Sequence, residues 1–164
     1  MKLDTLQDLY LRELRDLYGS EQQLANWLPK IMEAADLMEL RQALANHASE
    51  VRGQAARLEK IFQIRGEKPS GREGKILDGI VREAEEDMAE VNNAHLRDTV
   101  IVAAMQQVKH FEIAAYGSML AYATHLDYHE DARLLQSTLQ EERATDRKLT
   151  EIALHYLKLE AART

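Results

Sequence analysis

Glu21, Glu50, Glu112 and Glu142 each interrupt, or flank by one position, the apolar stripe of a separate helical segment, where leucine would be expected. A carboxylate taken out of water is costly unless a cation or a proton meets it. Four of them converging inside a helical bundle would make a cage of hard oxygen ligands, and two divalent ions would neutralise their charge. Carboxylate oxygens can also bridge two ions and move as the ions change charge, which suits oxygen or peroxide chemistry. The alternative is a set of protonated or hydrogen-bonded acids that only shape the core.

The spacing around these residues is helical. Leu3, Leu6, Tyr10, Leu14, Leu17, Glu21, Leu24, Leu28, Ile31 and Ala35 advance in steps of three and four, which marks one face of a first helix. Pro29 is expected either to kink that helix or to end it early. A second stripe runs Leu40, Leu44, His47, Val51, Gln54, Leu58, Ile61, with Glu50 three residues after His47 and four before Gln54. Turn-forming residues from Arg65 to Arg72 then predict the longest loop. A linking helix is expected from about Lys75 to Val91, with Ile76, Ile80, Ala84 and Met88 on its apolar face. Its run of Glu83, Glu85, Glu86, Asp87 and Glu90 reads as a solvated face.

After a break at Asn92 to His95, a third stripe carries Ile101, Met105, Val108, Glu112, Ala115, Met119, Tyr122 and Leu126. A last helix, from near Tyr128, carries Leu135, Thr138, Glu142, Asp146, Leu149, Ile152 and Tyr156. Glu21 and Glu50 are 29 residues apart and Glu112 and Glu142 are 30 apart, enough in each case for a helix to finish, turn and return. Gln54 and Asp146 extend the repeat, each four residues after the second glutamate of its pair. The expected fold is therefore all-α: a ferritin-like four-helix bundle of two antiparallel hairpins with a short crossover helix, residues 1–164 forming one domain.

Composition narrows the function. The chain carries a net charge of −7, and its Lys and Arg are scattered among acids, which argues against a nucleic-acid surface. No apolar run reaches the roughly 20 residues of a membrane span, and Met1 to Leu14 does not read as a signal peptide, so a cytoplasmic protein is expected. Without cysteine, any metal must be held by oxygen and nitrogen. No glycine-rich phosphate loop, nucleophile elbow or zinc-protease motif competes with the carboxylates.

The segments Leu17 to Leu24, His47 to Glu50, Lys109 to Gly117 and Glu141 to Asp146 resemble those of the YciE/YciF-type bacterial stress proteins, and the resemblance covers nearly the whole chain. It implies a ferritin-like fold related to rubrerythrins and bacterioferritins, and it carries no assigned activity. It also implies that Glu21 and Glu112 are the lone glutamates of their helices, while Glu50 and Glu142 belong to two Glu-x-x-His motifs. Gly53 and Thr145 occupy the histidine places, so a site here would be richer in oxygen. His47 is either the substitute nitrogen ligand or a core histidine bonded to a neighbour. Gln54 and Asp146 either reach the metals or orient the glutamates. His110, two residues before Glu112, is turned off that face. Tyr18 and Tyr116 are spaced to bond Glu21 and Glu112, or to pack as core aromatics.

The expectation is a cytoplasmic stress protein, a homodimer, with a dinuclear carboxylate site for iron or manganese and a small oxidant such as oxygen or peroxide. The alternative is a metal-free structural or binding stress protein that keeps the polar core.

Overall fold

The computed structural model describes residues 3–161, and the regular structure among them is entirely helical. Five helices follow one another: α1 (Leu6–Ala34), α2 (Met38–Ile64), α3 (Lys75–Glu90), α4 (Ala94–His125) and α5 (His129–Ala161). None is long and apolar enough to cross a membrane.

The ends are specified locally. Thr5 and Asp8 form a capping box at α1: the Thr5 hydroxyl accepts the Asp8 N–H at 3.1 Å while the Asp8 carboxylate accepts the Thr5 N–H at 2.9 Å. Asn93 caps α4 by accepting from the N–H groups of His95 and Leu96. The start of α2 has no such side chain, and its orphan donors are met from a distance. Asp98 of α4 accepts the N–H groups of Asp36 and Leu37 at 2.8 and 2.7 Å, and the Tyr156 hydroxyl of α5 donates to the same carboxylate. At the opposite end Asp131 of α5 accepts from the Tyr10 hydroxyl of α1 at 2.9 Å and pairs with Arg65, whose guanidinium lies 3.7 Å from the centre of the Tyr128 ring.

α1 pairs with α2 and α4 with α5, and the two pairs meet through α2 against α5 and α1 against α4. The cross-links Glu39–Lys148, Gln54–Glu142 and Lys60–Glu130 climb α2 while descending α5, so these helices run antiparallel. α3 lies on α4 and touches α1. The apolar stripes face inward: Tyr10, Leu14, Leu17, Leu24, Leu28, Ile31, Leu40, Leu44, Val51, Leu58, Ile61, Ile101, Met105, Val108, Leu149 and Ile152 are all buried. They form two apolar clusters, one around Leu28, Leu40, Met105 and Ile152 and one around Leu14, Phe62, Met119 and Leu135. Between them the core is polar.

Two sequence expectations are refined. Pro29 does not end α1, which continues to Ala34. On α3 the apolar face is rotated by one residue: Leu77 is fully buried and Ile76 is 62% exposed, because this short helix meets α4 along Leu77, Ile80, Val81 and Ala84. The acidic run of α3, by contrast, is exposed as expected.

The loop before α3 is anchored to α1. Gly66 adopts φ +70°, a backbone region open to glycine. The Arg72 N–H donates to the Arg15 carbonyl at 3.0 Å, and the loop lies so close to Gly19 that a Cβ there would stand 1.9 Å from the Arg72 carbonyl oxygen. At Gly117, also helical, a Cβ would meet nothing within 4 Å. Gly117→Ala is expected to stabilise the fold by about 0.5–1 kcal/mol through helix propensity. Gly19→Ala is expected to destabilise it by about 1–3 kcal/mol through overpacking, both read from urea denaturation. Equal effects at the two sites would contradict the loop docking.

Candidate site in the polar core

Each helix of the ring contributes to the polar layer from the middle of its stripe. Glu21 comes from α1, His47 and Gln54 from α2, Lys109, Glu112 and Tyr116 from α4, and Glu142 from α5, and all seven side chains are buried. The centre of the layer is an ammonium group. Lys109 Nζ lies 2.5 Å from Glu112 Oε2, 2.5 Å from Glu142 Oε2 and 2.8 Å from His47 Nε2, so one cation meets groups from three helices, with hydrogen bonds to Glu142 and His47.

The remaining bonds hold these partners in place. Gln54 Nε2 donates to Glu142 Oε1 at 2.7 Å. Next to it, Arg57 pairs with Glu141 and donates to the Thr138 hydroxyl at 3.0 Å. The Tyr116 hydroxyl donates to Glu21 Oε1 across the α1–α4 contact. An ammonium only donates, so His47 Nε2 must accept, which places the ring proton on Nδ1. That nitrogen faces Glu50 Oε2 at 3.4 Å, and the Thr145 hydroxyl donates to the same oxygen at 2.8 Å.

Several acceptors are left short of donors. Glu21 Oε2, Gln54 Oε1 and both Glu112 oxygens are buried without a hydrogen bond; the Lys109–Glu112 approach is an ion contact that lacks hydrogen-bond angles. With the ammonium in their midst, no group of three or more His, Asp or Glu side chains among the described residues is placed to hold a metal ion.

The four glutamates singled out from the sequence thus divide. Glu21, Glu112 and Glu142 share the buried layer, whereas the Glu50 side chain is 33% exposed and sits at its rim. His47 and Gln54 reach the layer. Asp146 does not: it lies 3.5 Å from His110, which is itself largely exposed and turned away from Glu112. Tyr116 bonds Glu21 rather than Glu112, and Tyr18 donates to Glu59 at 2.7 Å. Thr145, in one of the two histidine places, serves Glu50.

Lys109 is the member of the layer that the acid pattern does not reveal. Its signal in the sequence is its place four residues after Met105 and three before Glu112, on the face that carries the buried stripe.

Residues 5–162 match a family profile described as "Domain of unknown function (DUF892)". The chain is 34% identical to Protein YciF of Escherichia coli (strain K12) over 162 residues, 98% of either chain. Among solved structures, the E. coli stress protein YciF superposes with a TM-score of 0.91, covering 95% of this chain and 99% of that one at 34% identity. YcfI of Rhodopseudomonas palustris, described as a candidate structural protein, gives 0.89, covering 92% and 97% at 39% identity. A Xanthomonas campestris protein, 17% identical, gives 0.72 over 95% of this chain and 98% of its own, and shows the shared fold alone.

Charge in the layer follows from burial and from Lys109. Burial pushes the Glu21 carboxyl up to about 8, against the Tyr116 hydrogen bond, with the charge of Glu142 adding to the rise. Burial and the neighbouring Glu142 likewise raise Glu112 well above the carboxylate range. Burial also opposes ionisation of Glu142, but the Lys109 ammonium, His47 and the hydrogen bonds to this carboxyl together outweigh it and hold it below its usual range. Lys109 stays charged, since Glu112 and Glu142 outweigh the burial that would neutralise it. His47 is depressed by burial and by Lys109. Burial thus works against ionisation of Glu21 and Glu112, whereas the lysine favours the charged form of Glu142.

A carboxyl raised in the folded state stabilises the fold fully below its unfolded value near 4.5 and ceases to do so as pH climbs through its folded value. For Glu21 that window runs from about 4.5 to about 8, with a slope of roughly 1 kcal/mol per pH unit. Stability measured by urea denaturation is expected to fall across this window, and Glu21→Gln, which keeps an acceptor for Tyr116, is expected to flatten the fall. An unchanged slope in the variant would show that Glu21 is ionised throughout.

Proposed function

The chain belongs to the DUF892 family, and from that premise we propose that it is a ferritin-like four-helix bundle acting as a structural or binding stress protein, its polar core balanced by its own side chains. The position of Lys109 carries this reading. Its ammonium lies between Glu112 and Glu142, bonded to Glu142 and His47 and in ion contact with Glu112. Four ionised carboxylates facing two divalent ions would neutralise them. Here burial works against ionisation of Glu21 and Glu112, and Glu50 is engaged at the rim by His47 and Thr145. As arranged, these residues fit a resident ammonium and do not fit a pair of divalent ions.

A polar layer of this kind suits a structural role. Displacing α4 or α5 along its axis would leave a buried charge without its partner, at a cost of about 3–5 kcal/mol, so the layer fixes the register of these helices. The descriptions of the relatives, a stress protein in E. coli and a candidate structural protein in R. palustris, agree with such a role.

Metal analysis tests the proposal. Protein purified without chelator from cells supplied with iron and manganese is expected to carry far less than one ion per chain. Glu112→Gln is expected to alter stability while leaving metal content unchanged. Stoichiometric iron or manganese in the wild type, lost in Glu112→Gln, would overturn the reading and restore the dinuclear one.

A further inference from the structure

We propose that the groove between α1 and α3 is a binding site for a neutral, polyhydroxylated small molecule of monosaccharide size. The groove shares no residue with the polar layer, so its fate and that of the metal-free reading are separate.

The groove holds about 310 Å³, at the lower end of the range of small-molecule sites and many times the space of one water. Gln23, Asn26 and Trp27 line it from α1, and Asp78 and Val81 from α3. Trp27 is 3% exposed, and its indole Nε1 is buried without an acceptor. Gln23 Oε1, four residues earlier on the same helix, is buried without a donor. One wall of the groove thus offers an unmet donor and an unmet acceptor that are not bonded to each other, and a ligand bringing both functions would satisfy the pair.

The remaining lining is charged but balanced. Arg82 pairs with Asp78 at 3.1 Å within α3, and Lys30 of α1 lies 4.0 Å from Glu85 of α3. Two cations and two acids leave no net charge to recruit an ion, which argues against an anionic or a cationic ligand. The Lys30 and Arg82 side chains are each 72% exposed, so a ligand displaces no buried charge on entry.

A hydroxyl both donates and accepts. Neighbouring hydroxyls on one ring can therefore accept from Trp27 Nε1 and donate to Gln23 Oε1, while the Asn26 carboxamide and the Asp78 carboxylate, in the same groove, can take further hydroxyls. The C–H faces of such a ring suit Val81 and the indole.

The test titrates the full chain with D-glucose and with myo-inositol, and in parallel with glycine betaine and sodium acetate. It follows Trp27, the chain's one tryptophan, through its indole N–H resonance and its fluorescence. A saturable shift of the indole resonance by glucose or inositol is expected, with none from betaine or acetate. Gln23→Leu, which keeps a helix former and removes the acceptor, is expected to weaken that binding about tenfold, and Asn26→Ala, at an exposed position, several-fold. Should Gln23→Leu fail to fold, the comparison with Asn26→Ala decides. An indole resonance that stays still, or drifts only linearly as bulk solvent would make it, overturns the site. Saturation by betaine or acetate alone overturns it too, as does polyol binding that the folded variants leave unchanged.

Discussion

A buried ammonium is tolerated only when charge and hydrogen bonds are satisfied together, and the middle of this molecule is organised around meeting that condition for Lys109. Glu142 supplies the counter-charge, His47 supplies a second acceptor, Glu112 lies in ion contact, and Gln54 holds Glu142 in place. These partners lie on α2, α4 and α5, so one side chain sets the axial position of three helices. The apolar clusters on either side supply most of the burial but little of this specificity, because leucine faces can slide past one another at modest cost.

The same logic recurs at the two ends. Asp98 gathers the donors of the α1–α2 turn and the Tyr156 hydroxyl, and Asp131 gathers Tyr10 and Arg65. Each is a buried acid given donors from distant elements, so the bundle is pinned at both ends and at mid-height. The layer differs from these end locks in one respect: oxygens of Glu21, Gln54 and Glu112 in it have no hydrogen-bond partner.

Much of the architecture was legible in the sequence because apolar periodicity reports directly on burial. Most of the stripes of α1, α2, α4 and α5 pointed inward as read, including Glu21, His47, Gln54, Glu112 and Glu142, while Leu3 is exposed and Ala115, Tyr122 and Leu126 are half-buried. What failed was finer than the period. Glu50 and Asp146 sit near the buried face, but a shift of one position places a carboxylate at the rim, where Thr145 and His110 claim them. Ile76 and Leu77 exchanged places for the same reason on α3, where a short amphipathic helix offers two adjacent apolar residues. Lys109 was missed because a long side chain on a polar stretch usually reaches solvent, and only the three-dimensional crowd of acids around it keeps this one inside.

Membership of the family settles the fold and leaves the chemistry of the core to individual side chains. In this chain that chemistry turns on whether Lys109 is a charged, buried donor. Heteronuclear NMR of lysine-labelled protein at neutral pH measures this directly. The account requires one ammonium resonance, absent in Lys109→Met, whose protons exchange slowly with water and which shifts when Glu142 is replaced by Gln. A Lys109 signal that exchanges as fast as surface lysines, or that titrates as a neutral amine near neutrality, would contradict it.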